Sequence, residues 1–344
     1  MKKLIIFTLP LFLFSFIVSG QNLPKDDHSG LFLITKKGYI GFIDKTGKVI
    51  LKPDSPYATE NFSGGLARVK NSSGKIGYMD KTGRQTISIG YVYGGKDVGY
   101  EDGGKFIDGV TWVKHGNRGK NDKNYGLINE NGDLITELKF DYISDFSDGV
   151  ACAMFYGQTK YIDKKGEIVI SSEADIAGDF SEGLARVKVG EKTGYIDKTG
   201  KIVIKPQFDI NSNFSEGMAW VKDNGKFGYI DKTGTLVIKL QYDWANAFSD
   251  GLASIKIDNK YGFIDKTGNA VIKPSFDFAG SFNDGLAPIR VDGKIGYIDK
   301  TGSIIIKPMF DEFGDFFNGL AYVKVGEKSG YIDKTGKYVW GPSK

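Results

Sequence analysis

Nine positions in this 344-residue sequence invite an acid–base reading: Asp44, Asp80, Asn129, Asp163, Asp197, Asp231, Asp265, Asp299 and Asp333, eight of them carboxylates. General acid–base or glycosidic chemistry needs two carboxyl groups converging on one bond. These acids are strung along the chain, the last six of them at a constant interval of 34 residues. Each opens a short segment of the type Asp197-Lys198-Thr199-Gly200. An Asp or Asn at the first position of a turn bonds the backbone two residues on, and a Gly at the fourth accepts a left-handed backbone. Turn formation accounts for every one of them, and no catalytic residue is assigned.

Other candidate chemistry fails on composition or context. Gly99 and Gly104-Lys105 have the spacing of a phosphate loop, but Phe106 stands where Ser or Thr should hold the metal. Asn129-Glu130-Asn131-Gly132-Asp133 suggests a calcium loop, yet its Gly comes at the fourth place and no Glu follows at the twelfth. One cysteine, Cys152, and two histidines, His28 and His115, cannot build a disulfide framework or a Cys/His metal site. No cofactor or metal is expected. A formal charge of +4 gives no electrostatic case for nucleic acid.

The elements that position these turns repeat with them. Phe180, Phe214, Phe248, Phe282 and Phe316 each open a Phe-x-x-Gly followed by Leu or Met and Ala, with earlier copies at Phe62, Phe106 and Phe146. Gly183 to Lys188 alternates apolar and polar residues, the period of a half-buried strand. Gly194-Tyr195-Ile196-Asp197 reads as a second strand and Lys201-Ile202-Val203-Ile204 as a third, stopped by Pro206. Phe208 and Phe214 in the following link are expected to plug the gap between units. No segment after residue 20 carries a sustained helical period. The fold class is therefore all-β, a tandem array of about nine three-stranded β-meander repeats of about 34 residues. A lone meander has nothing to cover its apolar face, so neighbouring units must supply the cover. The array starts and stops in phase with the unit, leaving no strand to latch the ends, and nine units exceed the usual blade number of a propeller. An open or superhelical array is favoured, with Trp340 and Pro342 as an end cap; a closed β-propeller-like ring is the alternative.

Gly-Tyr/Phe-Ile-Asp-Lys-Thr-Gly, an apolar triplet, Lys-Pro and Phe-Ser-Glu/Asp-Gly-Leu-Ala together resemble the WG-repeat (KWG) family over about residues 30–340. The Trp that names the family is replaced here by Thr193, Phe227, Tyr261, Ile295 or Ser329. The resemblance implies β-rich repeats of the exported bacterial type and brings no catalytic residue to carry over.

Met1-Lys2-Lys3, an apolar run from Leu4 to Val18 and Val18-Ser19-Gly20 form the three-part pattern of a secretory signal peptide over residues 1–20. Residues 21–29 follow as a leader, 30–340 as the array and 341–344 as a tail. Export to the periplasm, cell surface or medium is expected, with no stable membrane span after cleavage. The third unit, around 88–126, is irregular: Asp80 to Asn129 spans 49 residues rather than 34. Insertions in repeat proteins map to loops that often bind. Tyr91, Tyr93, Tyr100, Trp112, His115 and Arg118 are therefore the candidate partner-binding residues. The function expected is non-enzymatic, a binding or scaffold surface for a protein or an envelope polymer. A glycan- or peptidoglycan-processing enzyme and a structural spacer are the alternatives.

Overall fold

The computed structural model describes residues 30–36, 39–55, 58–59, 61–70, 74–87, 92–93, 96–97, 99–116, 124–171 and 176–343. The expected signal peptide and leader lie outside them. Every regular element among the described residues is a β-strand. Six four-stranded sheets each hold one repeat unit, and a three-stranded sheet beginning at Leu31 holds the first. One seven-stranded sheet contains the second and third units together. The strand Tyr100–Gly103, from the irregular insertion, joins them: Tyr100 pairs with Ile76 on one side and His115 on the other. The nine units thus fill eight principal sheets, with Val92–Tyr93 and Lys96–Asp97 as a separate small hairpin.

The sixth unit shows the pattern. Its strands Ile210–Asn211, Met218–Asp223, Lys226–Asp231 and Leu236–Tyr242 pair antiparallel in chain order. Three of these are the expected meander. The fourth, Ile210–Asn211, is an addition: two residues of the link pair with Lys222 and Val221, too few to leave a periodicity in the sequence. Glycine precedes the central Tyr in most units, Lys160 before Tyr161 being the exception, because the last strand crosses it closely. A Cβ on Gly228 would sit 2.5 Å from the Ile238 carbonyl oxygen.

Packing between units rests on one repeated pair. Tyr195 is fully buried, its ring 4.8 Å from Phe214 of the next unit, and its hydroxyl donates to the Ser212 carbonyl at 2.6 Å. Tyr78 with Phe106, Tyr161 with Phe180, Tyr229 with Phe248 and Tyr297 with Phe316 repeat the ring contact, with centroids 4.7–4.9 Å apart. Their hydroxyls likewise reach Gly104, Gly178, Asn246 and Gly314 carbonyls at 2.7–2.9 Å. Each aromatic therefore buries area against its neighbour and satisfies its own polar end.

The same contact joins the last unit to the first. Tyr331 lies 5.4 Å from Phe32, edge-on, and its hydroxyl donates to the Leu33 carbonyl at 2.8 Å. Phe32, Ile34 and Ile43 bury themselves against Leu320 and Tyr331, with Val339 and Trp340 packed on the cluster. Of the two arrangements compatible with the sequence, the molecule adopts the closed, propeller-like ring. Among the described residues it closes by side-chain packing rather than by a shared strand, and Trp340 belongs to that seam rather than to a free end. The substitution responsible is Phe32, which occupies the position held by Ala67, Ala151, Ala185, Ala219, Ala253, Ala287 and Ala321 in other units. There it presents the ring that Phe62 or Phe214 presents elsewhere.

Phe32→Ala is expected to lower unfolding free energy by about 3–5 kcal/mol, the cost of a large buried truncation. Tyr331→Phe, which leaves the Leu33 carbonyl without its donor, is expected to lower it by about 1–3 kcal/mol. Urea denaturation of the full chain reads both, and a Phe32→Ala loss below about 1 kcal/mol, ordinary for a surface change, would contradict closure.

Candidate functional site

The repeated acids are engaged in their own turns. Asp197 Oδ1 accepts from the Thr199 amide at 2.9 Å, the Thr199 hydroxyl at 2.6 Å and the Lys201 amide at 3.2 Å. Asp44, Asp231 and Asp299 are bound in the same way. The threonine hydroxyl bond is the largest influence holding the Asp44, Asp80, Asp197, Asp231, Asp265 and Asp299 carboxyls below their ordinary value. A carboxylate so held is a turn anchor, and each one faces its own backbone rather than a second acid. Among the described residues no group of three or more His, Cys, Asp and Glu side chains could hold a metal ion.

A second set of acids fastens units across the opposite ends of the strands. Asp243 accepts from Lys226 Nζ of the preceding sheet at 2.7 Å and from the Asp258 amide of the following sheet at 3.1 Å. Asp209 and Asp311 repeat this with Lys192 and Asn224, and with Lys294 and Gly326. The Lys side-chain bond is the leading cause that holds Asp209, Asp243 and Asp311 low.

The six residues singled out in the irregular unit separate. Tyr91 and Arg118 lie outside the described residues, and Tyr93 sits in the hairpin strand Val92–Tyr93 with its side chain likewise outside them. Tyr100 and His115 are cross-strand neighbours only 5% and 3% exposed. His115 thus ends the strand Val110–His115, not a loop, and its Nδ1 lies 3.0 Å from the Gly116 carbonyl. Both line the core. Trp112 is different: it is half-buried and carries a surface-facing cluster with it.

That cluster bridges the third and fourth units. Trp112 Nε1 donates to Asp145 Oδ1 at 2.8 Å, and the Lys105 amide donates to the same oxygen at 3.2 Å. The Trp112 ring lies 5.5 Å from Tyr125, which lies 5.8 Å from Tyr142. Lys114 Nζ stands 5.8 Å from the Tyr125 ring centre, within cation–π range. Tyr142 is 45% exposed, so the row ends in solvent. Burial raises the Tyr125 and Tyr142 hydroxyl pKa values, keeping both rings neutral hydrogen-bonding groups. A row of amphipathic rings with a fixed carboxylate and an ammonium group can stack on an apolar or sugar face and bond its polar edge. Tyr125, Tyr142 and Asp145 were not among the expected residues. Tyr125 occupies the position before the repeat Gly where the family has Trp, which is the signal that could have found it. A related row runs through Trp244, Tyr261 and Phe278 at 5.6 and 5.8 Å, with Lys256 over Tyr261 and Arg290 over Phe278.

The sequence pattern described as "WG containing repeat" matches residues 40–75, 125–157, 161–192, 194–227, 227–261, 261–294 and 295–328, well over half of the chain. The chain belongs to the WG-repeat family. The unmatched stretch 76–124 is where the irregular insertion fuses two units of this WG-repeat protein into one sheet. Among curated proteins none matches it in sequence. A solved structure described as "Crystal structure of the eukaryotic initiation factor" is similar in fold. It superposes with a TM-score of 0.63 over 90% of this chain and 94% of that one, at 12% identity. BamB from Moraxella catarrhalis gives 0.42 over 92% and 91% of the chains, also at 12% identity.

Because the turn carboxyls titrate below their ordinary value of 3.8 when folded, their contribution to stability is complete above that value and is lost as pH falls through the folded values. The urea midpoint is expected to be level from pH 7 to about 5 and to drop by pH 3. A midpoint at pH 3 equal to or above that at pH 7 would contradict the turn account.

Proposed function

We propose that this WG-repeat ring is an exported, non-enzymatic scaffold that presents a binding surface to a protein or an envelope polymer. One observation carries the reading: the Trp112–Tyr125–Tyr142 row, with Lys114 beside it and Asp145 fixing it, is half-exposed and spans a junction between units. The regular turns around it use their acids to hold the ring, and the outer ring of the row, Tyr142, reaches solvent. Aromatic rings give large contact area at low entropic cost, which makes such a row an effective anchor. Export follows from the sequence pattern of residues 1–20, and in an exporting cell the accessible partners are envelope components and secreted proteins.

Tyr142→Ala is the clean variant because the ring is 45% exposed and its loss should leave the fold intact. A crosslinked pull-down from envelope and culture fluid, with residues 21–344 as bait, is expected to recover a partner. The variant should hold that partner about tenfold more weakly at an unchanged melting temperature. Equal recovery by both proteins would move the binding surface elsewhere, and turnover abolished by a single substitution would reject the non-enzymatic reading.

A further inference from the structure

The junctions between sheets on the turn side follow one plan, and the seam departs from it. In the fifth unit Glu182 has a left-handed backbone, φ 54°, and its carboxylate reaches into the sixth unit. There it accepts from the Gly217 amide at 3.0 Å and pairs with Lys232 Nζ at 3.0 Å. Glu216 repeats the arrangement one unit on, with the Gly251 amide at 3.1 Å and Lys266 Nζ at 3.3 Å. Asp148, Asp250 and Asp284 accept from Gly183, Gly285 and Gly319 at 2.6–2.8 Å.

At the seam the corresponding residues are Asn318, Gly30 and Lys45. Asn318 keeps the left-handed backbone, φ 49°, but its side chain is a neutral carboxamide where the others are carboxylates. The same three residues, with Asp44 and Thr46, line an open cleft of about 520 Å³. Asp44 does not stand against an anion there. Its Oδ1 is turned to Thr46 and Lys48, as Asp231 is turned to Thr233 and Thr235 beside the Glu182–Lys232 pair. The donor set that holds a carboxylate at the Glu182 and Glu216 junctions, a glycine amide and a lysine ammonium, recurs between the first and last units as Gly30 and Lys45, and among the described residues no carboxylate is bonded to either.

We propose that this seam cleft is a binding site for the carboxylate of a ligand, which would take the place that Glu182 or Glu216 occupies elsewhere. Charge-assisted bonds from an amide N–H and an ammonium group supply the recognition. A carboxylate seated there bridges the first and last units, so ligand binding stabilises the closed ring. The site is separate from the Trp112 row and does not depend on the function proposed for it.

The test is thermal unfolding of the full chain with N-acetylglutamate, with N-acetylglutamine and sodium chloride at matched ionic strength as controls. A doubly blocked Glu-containing peptide forms a second arm that separates a free acid from an acidic side chain as the source. A ligand that binds only the folded ring raises its melting temperature with concentration. The expected result is such a rise for the acid, the peptide or both, and none for the amide. Asn318→Asp, which supplies an internal carboxylate, should melt higher than the parent without ligand and no longer respond. Lys45→Met should abolish the response without that gain. No response in the parent, or equal responses in the parent and Asn318→Asp, would overturn the proposal.

Discussion

In six of the nine units the hydroxyl of a buried tyrosine is donated to a backbone carbonyl of the next unit, and this is the contact from which the rest of the ring follows. A buried tyrosine oxygen without a partner is costly, so the next sheet must stand where its carbonyl can receive it. Tyr195 and Ser212, Tyr229 and Asn246, and Tyr297 and Gly314 hold the neighbour at a nearly constant 2.6–2.9 Å. Tilted or edge-on packing against Phe214, Phe248 and Phe316 makes that position the favourable one as well. Repetition of a fixed displacement bends the array, and the bend closes because Tyr331 finds Leu33 and Phe32 at the end of the circuit.

Much of this is legible in the sequence, for a physical reason. Turn residues such as Asp197 and Gly200 act locally, within four positions, so their types report their geometry directly. Alternation in Leu184–Val189 reports a half-buried strand for the same reason. What is not legible acts between units. The strand Ile210–Asn211 exists only because the second strand offers an edge to it. Closure turns on a single exchange, Phe32 for the Ala of the other units, which is visible only when the units are set side by side. Among the described residues the ends meet through side chains, which leave no strand pattern in the sequence.

The candidate site divides along the same line. Trp112 is recognisable as an aromatic in the irregular unit, and the structure places it half-exposed in a cluster. Tyr100 and His115 stand in the same insertion but on strands that join two units into one sheet, and pairing buries them. Tyr142 and Asp145 belong to the next unit and meet Trp112 across a junction, a relation that no local pattern encodes. Residues that recur hold the ring, while residues that break the recurrence either fuse two units into one sheet, as Tyr100 and His115 do, or stand on the surface or at the seam, as Trp112 and Phe32 do.

The most direct measurement is the distance between the ends of the array. Spin labels on Lys48→Cys and Lys337→Cys occupy equivalent exposed positions in the first and last units. Cys152 does not interfere, since burial pushes its thiol up to about 12 and keeps it unreactive. Sheets packed about 10 Å apart would separate the ends of an open nine-unit array by on the order of 80 Å. Pulsed electron paramagnetic resonance should give a single short distance, roughly 10–25 Å, as expected for adjacent sheets plus label length. A distribution centred near the open-array distance would contradict the closed ring on which the account rests.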